Sequence, residues 1–177
     1  DYIEQFEVRM PAIVKELDEQ RFYWRSSPSA HGGCKDTASN LAGDMHYWEI
    51  WHGLKPFTAF RQLYYRFCSE YGFESIPCIQ TMLTVCDPKQ GDLNLMSPVM
   101  EAHHKCEGGS SKLMYYLAQM MRYPSTFEEL IYASQYVQAE CIRSNVEHMR
   151  RHRGRCMGSV YWQLDDSNPA ISWSSID

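Results

Sequence analysis

The chain has 177 residues, 44% of them hydrophobic and 14% aromatic, which is enough for a domain with a sizeable core. Its formal net charge of -5 argues against nucleic acid or an anionic membrane surface as a partner. No apolar run is long enough to span a bilayer, and the first residues carry no signal-peptide pattern.

The seven cysteines, an odd number without a C-x-x-C pair, do not indicate a disulfide framework. Most have apolar neighbours, as Cys68 has in Phe67 and Cys86 in Val85, which predicts reduced and buried thiols. Reduced thiols favour a cytoplasmic location. Because the first residue is Asp and not Met, a preceding signal sequence, and with it secretion or a lysosome-like compartment, stays an open alternative.

The hydrophobic pattern predicts helices and short strands in alternation. The predicted elements, in chain order, are a helix over 1–20 that Pro11 kinks, an aromatic strand over 21–28, a polar loop over 29–43, a strand over 45–51, a short helix over 56–65, a strand over 66–73, an irregular connection over 77–100, a helix over 112–122, a long helix from 127 to Gly154, and a strand over 156–165. The long helix has the clearest signal, because Ser125 and Thr126 precede Glu128 and Glu129 at capping-box spacing.

Strands that alternate with helices predict an α/β fold with a parallel sheet. The strand-like runs carry aromatic and polar residues toward their C-terminal ends, which is where the active site of an α/β barrel lies. About four strand-helix units are present, half of the number that closes such a barrel.

One carboxylate stands out in the run 66–73, where Glu70 lies among Phe67, Tyr71 and Phe73. An ionised carboxylate buried among such side chains needs hydrogen bonds or a counter-charge. From these residues alone two interpretations stay open: a structural ion-pair partner, or a group that takes part in chemistry.

Several motifs in this order resemble the catalytic barrel of the β-mannosidases in glycoside hydrolase family 2. The three main ones are Gly43-Asp44-Met45-His46-Tyr47-Trp48, Phe67-Cys68-Ser69-Glu70-Tyr71-Gly72-Phe73 and Gly158-Ser159-Val160-Tyr161-Trp162-Gln163-Leu164. Further matches are Ser26-Ser27-Pro28-Ser29, Ser97-Pro98-Val99-Met100-Glu101 and Ser172-Trp173-Ser174-Ser175-Ile176-Asp177. The similarity extends over essentially the whole chain.

The resemblance implies a retaining exo-glycosidase with a (β/α)8 (TIM) barrel and flanking β-sandwich domains. Residues 1–177 are then a single segment, the second half of that barrel, from the helix after strand 4 through strand 8. The family's acid/base Glu follows an Asn, and no Asn-Glu pair occurs in this chain, so the acid/base is expected to lie outside it.

The same resemblance implies partners and substrate. The remaining barrel half and the β-sandwich domains of a parent chain would complete the enzyme, and a β-mannoside oligosaccharide would be the substrate, with no cofactor and no metal. The 177 residues alone are expected to be inactive, because the mechanism needs two carboxylates.

Roles follow for the residues of the matching motifs. Glu70 matches the nucleophile that forms a covalent glycosyl-enzyme, and His46 or Tyr47 would keep it ionised by hydrogen bonding. Trp162 matches the aromatic platform under the sugar ring, and Trp48 a second aromatic wall, with ordinary core packing as the alternative for each.

Asp44 would bind sugar hydroxyls or support His46. The chain departs from the family after the last strand, where Asp165 and Asn168 stand in place of an amide and an aromatic residue. This change concerns the substrate mouth and leaves Glu70 untouched.

Other interpretations stay open. β-Galactosidase and β-glucuronidase share the barrel and the carboxylate, and a non-catalytic sugar-binding or structural fragment is an alternative of another class. A metal site at His103, His104 and Cys106 lacks zinc-ligand spacing. A nucleophilic thiol at Cys68 would need a nearby base that the sequence does not place there.

Overall fold

The computed structural model describes residues 1–33, 36–37 and 39–177. The chain divides into two compact units. The first unit comprises Asp1–Tyr47, Gln62–Glu70 and Met149–Val160, and the second comprises Trp48–Arg61, Tyr71–His148 and Tyr161–Asp177.

The regular elements are helices of very different length and two short strands. In chain order they are a π-helical turn at Glu4–Arg9, α1 at Met10–Leu17, β1 at Met45–His46, a 3₁₀ helix at Phe57–Gln62, β2 at Cys68–Glu70, α2 at Ile79–Met82, a 3₁₀ turn at Pro88–Gln90, α3 at Pro98–Ala102, α4 at Gly109–Met120 and α5 at Phe127–Arg151. Among the described residues, no helix has both the length and the apolar character that crossing a membrane requires.

The first unit is built on parallel pairing. β1 and β2 are parallel, with Met45 opposite Cys68 and His46 opposite Glu70. On the other side of β2, the N–H of Cys68 donates to Gly158 O (3.0 Å), and the N–H of Val160 donates to Cys68 O (2.8 Å). The predicted parallel α/β arrangement is therefore present.

The strands are shorter than the sequence predicts. After β1 the backbone N–H of His52 donates to Trp48 O (2.8 Å), so the chain turns where the aromatic run predicts extended strand. Residues 21–28 form no strand. Their aromatic side chains instead make hydrogen bonds to separate segments: Tyr23 donates to Phe6 O (3.0 Å) and Trp24 donates to Asp44 (2.9 Å).

The second unit packs around aromatic rings. Trp51 and Phe73 are fully buried with ring centroids 4.8 Å apart, and Tyr116 of α4 lies 4.9 Å from Phe73. Ser134 and Gln138 of α5 satisfy buried backbone groups: the N–H of Ile76 donates to Ser134 Oγ, and the Gln138 amide donates to Phe73 O. Ser134 and Gln138 thus keep their hydrogen bonds on the buried face of α5.

The predicted long helix is confirmed, with its capping box. Thr126 Oγ1 accepts the N–H of Glu129, and the Glu129 carboxylate accepts the N–H of Ser125. α5 ends at Arg151, just before Gly154, whose φ of 101° lies in the region that favours glycine. The connection predicted as irregular over 77–100 contains α2 and the start of α3, which Ser97 caps by accepting the N–H of Met100.

Candidate active site

The register of the parallel sheet sets a histidine beside a carboxylate. His46 and Glu70 are the last residues of β1 and β2, and the N–H of Tyr47 donates to Glu70 O (2.8 Å) just beyond them. The Nδ1 atom of His46 lies 3.3 Å from Glu70 Oε2, and 21% and 27% of the two side chains are exposed. Both side chains of the pair are therefore partly buried and partly accessible to solvent.

Asp44, directly before β1, lies in a nest of donors. Its Oδ1 atom accepts Trp24 Nε1–H (2.9 Å) and the N–H of Ser29 (2.8 Å), and its Oδ2 atom accepts the hydroxyls of Ser27 (2.5 Å) and Ser69 (2.6 Å). Burial would raise the pKa of Asp44, but the hydrogen bonds from Ser27, Ser69, Trp24 and Ser29 outweigh it and lower the pKa below its ordinary value. Asp44 is 8% exposed and ionised.

Gly43 makes this nest possible. Its φ is +66°, and a Cβ atom there would lie 1.8 Å from Ser29 O and 2.7 Å from Ala30 Cα. Because the two chain segments touch backbone to backbone, the N–H of Asp44 can donate to Ser29 O (3.0 Å). Only glycine fits this approach.

Ser27 connects Asp44 to the histidine. Its Oγ atom lies 2.5 Å from Asp44 Oδ2 and 3.2 Å from His46 Nε2. Asp44 and His46 are therefore connected through the hydroxyl of Ser27. Ser27 belongs to one of the matching motifs, but the sequence predicts no role for it, because Ser27 and Asp44 are 17 positions apart.

The other predicted neighbour of Glu70 is Tyr47. Its side chain is 6% exposed, and its ring lies 6.0 Å from the ring of Tyr65. Its backbone N–H is the donor to the Glu70 carbonyl described above.

The two predicted sugar-stacking residues belong to the second unit. Trp162 is 44% exposed, and its N–H donates to Tyr71 O (2.8 Å). Its carbonyl packs against Gly72, where a Cβ atom would approach within 2.2 Å. The ring of Trp48 lies 5.9 Å from Trp173 in an edge-on arrangement. Trp162 thus presents open ring surface, whereas the ring of Trp48 has an aromatic neighbour.

Comparison with known proteins shows similarity to β-mannosidases. The chain is 34% identical over 176 residues to the β-mannosidase B of Neosartorya fischeri and to that of Aspergillus niger, matching 97% of this chain and 20% of each relative. The crystal structure of a β-D-mannosidase from Dictyoglomus thermophilum superposes with a TM-score of 0.89 at 32% identity, over 97% of this chain and 21% of that one. The resemblance to β-mannosidases is confirmed. No family model matches the chain.

The chain therefore spans about one fifth of the length of the β-mannosidases it matches. The relatives are glycoside hydrolases by name, which supports a glycosidase segment. The individual site residues are untested by this similarity and remain predictions.

The segment predicted to depart from the β-mannosidase pattern contacts a lysine. Lys105 Nζ donates to Asn168 Oδ1 (3.1 Å) and lies 3.6 Å from Asp166 Oδ1. Asp166 also accepts the hydroxyl of Ser174 (3.0 Å). Asp165 is exposed.

The histidines of the alternative metal site have other partners. His104 Nε2 lies 2.6 Å from Glu74 Oε2, and His103 Nδ1 lies 2.8 Å from Pro169 O. In residues 1–33, 36–37 and 39–177, no group of three or more His, Cys, Asp or Glu side chains could hold a metal ion. Cys68 is fully buried, with Sγ 3.5 Å from Glu70 O.

The Glu74–His104 pair is itself a feature that the sequence did not predict. The two side chains are 0% and 1% exposed. Burial raises the pKa of Glu74 above its ordinary value, although the hydrogen bond and the charge of His104 act in the opposite direction. The pair lies inside the second unit and has no access to a ligand.

Proposed function

We propose that this chain is the nucleophile-bearing part of a retaining exo-glycosidase that hydrolyses terminal β-D-mannosyl residues. The observation that carries the proposal is the placement of Glu70 beside His46 at the C-terminal ends of adjacent parallel strands, in a chain that matches β-mannosidases over 97% of its length. In α/β barrels this end of the strands holds the active site. The geometry favours Glu70, and the similarity supports a β-mannosidase segment.

Glu70 is the proposed nucleophile. One of its carboxylate oxygens attacks the anomeric carbon and forms an ester bond, while the glycosidic C–O bond breaks and the leaving oxygen takes a proton from a second carboxylic acid. That second group then removes a proton from water, the water oxygen bonds to the anomeric carbon, and Glu70 leaves as a carboxylate.

The second carboxylate is proposed to come from outside these residues. Retaining enzymes hold their two carboxyl groups about 5–5.5 Å apart. Two acidic residues of the first helical segment are engaged elsewhere, since Glu4 pairs with Arg9 and Glu7 with Arg25. The partners are accordingly the rest of a catalytic barrel, of which this chain supplies strands 5 to 8 with their helices, and β-sandwich domains.

Trp162 and Trp48 are proposed to contact the sugar. A flat indole face matches the C–H face of a pyranose ring, and the exposed ring of Trp162 suits this role. The substrate is a β-mannoside oligosaccharide.

The test is covalent trapping in the full-length protein that carries this segment. Incubation with 2-deoxy-2-fluoro-β-mannosyl fluoride accumulates a glycosyl-enzyme, and peptide mass spectrometry locates the label. We expect the label on Glu70. If only the galactosyl or glucuronyl analogue labels Glu70, the assignment of the nucleophile stands and the assignment of the sugar is wrong. If none of the three analogues labels Glu70, the proposal is overturned.

A further inference from the structure

The hydrogen bonds around Asp44 fix where the protons lie between Asp44 and Glu70. The Ser27 and Ser69 hydroxyls lie 2.5 and 2.6 Å from Asp44 Oδ2, and an ionised carboxylate only accepts hydrogen bonds. Each hydroxyl has a single hydrogen, so both hydrogens point at Asp44. Ser27 Oγ therefore offers only lone pairs to His46 Nε2, 3.2 Å away.

This assignment decides the state of the histidine. His46 Nε2 must carry a hydrogen, because it faces an acceptor. If Nδ1 carried none, its lone pair would face the lone pairs of Glu70 Oε2 across 3.3 Å. The contact is attractive only with a hydrogen between the two atoms, on His46 or on Glu70.

We propose that Ser27 is a positioning residue that holds His46 as an imidazolium against an ionised Glu70. This proposal rests on the proposed function, since a glycosidase nucleophile must be ionised when it attacks. Asp44 polarises the Ser27 hydroxyl, Ser27 accepts the Nε2–H of His46, and His46 Nδ1–H points at Glu70 Oε2. Ser27 acts through His46 and touches no reacting atom.

The charged groups that face His46 come from two elements. Glu70 faces it from β2, and Asp44 faces it through Ser27 from the residue before β1. Both are carboxylates and can only accept hydrogen bonds, so each ring nitrogen of His46 faces an acceptor, Glu70 directly and Ser27 on the other side. Without a hydrogen on Nδ1 of His46, Glu70 Oε2 would face a lone pair, and the nucleophile would lose the contact that positions it.

The experiment measures the rate of inactivation by 2-deoxy-2-fluoro-β-mannosyl fluoride against pH in the full-length protein. Fluoride leaves with little need of a general acid, so the rate reports the nucleophile. We compare Ser27→Ala, Ser27→Thr, which keeps the hydroxyl, and Ser69→Ala, which removes a bond to Asp44 but not the bridge to His46.

We expect Ser27→Ala to react about 10- to 100-fold more slowly, and the alkaline limb of its profile to move to lower pH, because the imidazolium has lost an acceptor. Ser27→Thr should restore both the rate and the limb, and Ser69→Ala should show a smaller change than Ser27→Ala. A Ser27→Ala profile equal to wild type, with the label still on Glu70, overturns the proposal and leaves the proposed function standing.

A second variant covers the case in which Ser27→Ala fails to fold. His46→Gln cannot hold the proton, so its profile should lose the alkaline limb. If His46→Gln retains the wild-type limb, the proposal is wrong. Absence of label on Glu70 in the wild-type protein is a different result, and it concerns the proposed function.

Discussion

His46 Nδ1 and Glu70 Oε2 lie 3.3 Å apart because β1 and β2 run parallel and end together. The register irregularity between Met45 and His46 brings His46 level with Glu70, two residues beyond Cys68. The pairing of two main-chain segments thus sets the distance between two side chains that the proposed chemistry needs together.

Glu70→Gln removes the proposed nucleophile while keeping its size. We expect kcat on an aryl β-mannoside to fall by about 10⁴-fold or more, since the amide cannot form the ester intermediate. Steady-state kinetics of the full-length protein measure the loss. Glu49→Gln is the control, because Glu49 is half-exposed and pairs with Lys55 (2.9 Å); near-normal turnover of the Glu70 variant would contradict the assignment.

Trp162→Ala removes the proposed sugar platform. We expect kcat/KM to fall about tenfold or more, with Trp162→Phe in between because it keeps a flat ring. The control is Tyr132→Ala, which removes an aromatic ring that is 72% exposed. Equal, small effects of the alanine variants at positions 162 and 132 would return Trp162 to ordinary surface packing.

Gly43→Ala should disrupt the Asp44 nest. A left-handed backbone costs alanine about 1–2 kcal/mol, and the clash with Ser29 O adds to it. We expect a clear drop in the thermal midpoint together with a loss of trapping at Glu70. Gly91→Ala is the control that separates the cost of the left-handed backbone from the cost of the clash, because Gly91 has a φ of +79° and nothing within 4 Å of an added Cβ atom. If the Gly43 variant is no less stable than the Gly91 variant, the close approach at Gly43 is refuted.

Glu74→Gln should change the pH dependence of stability. The folded-state pKa of Glu74 is raised, so its contribution is fully present below the unfolded value of about 4.3 and is lost as the pH rises through the raised value. Glutamine does not ionise, so the stability of the variant relative to wild type should rise as the pH rises through the raised pKa of Glu74, and should fall in acid.

Thermal midpoints at several pH values measure this difference. Glu101→Gln, at an exposed position of α3, should give a curve parallel to wild type. A gain for the Glu74 variant that is largest in acid would show that the sign is wrong.

The sequence could predict elements whose signal is local. α5 has 25 residues and a capping box, so periodicity and Thr126 with Glu129 were sufficient. Strand lengths could not be predicted, because the aromatic composition of 21–28 suits a strand and an irregular packed segment equally. In the structure the segment 21–28 is irregular, and its side chains have partners such as Asp44, which accepts a hydrogen bond from Trp24.

The candidate site likewise has a part that the sequence predicts and a part that it does not. Glu70 and His46 belong to motifs, and their pairing follows from strands that run parallel. Ser27 and Ser69 are 42 positions apart and both donate to Asp44, and no spacing rule relates them. Glu74 and His104 are 30 positions apart and likewise give no local signal.

The start of α4 has a consequence for how this protein can change over time. A Cβ atom at Gly109 would lie 2.1 Å from His104 Nε2 and 2.6 Å from Glu74 Oε2, so the first residue of the helix sits on the buried pair. A larger residue at position 109 is therefore constrained by the side chains at positions 104 and 74. Such a residue becomes tolerable in a lineage after a smaller side chain has replaced His104, which couples the evolution of these positions.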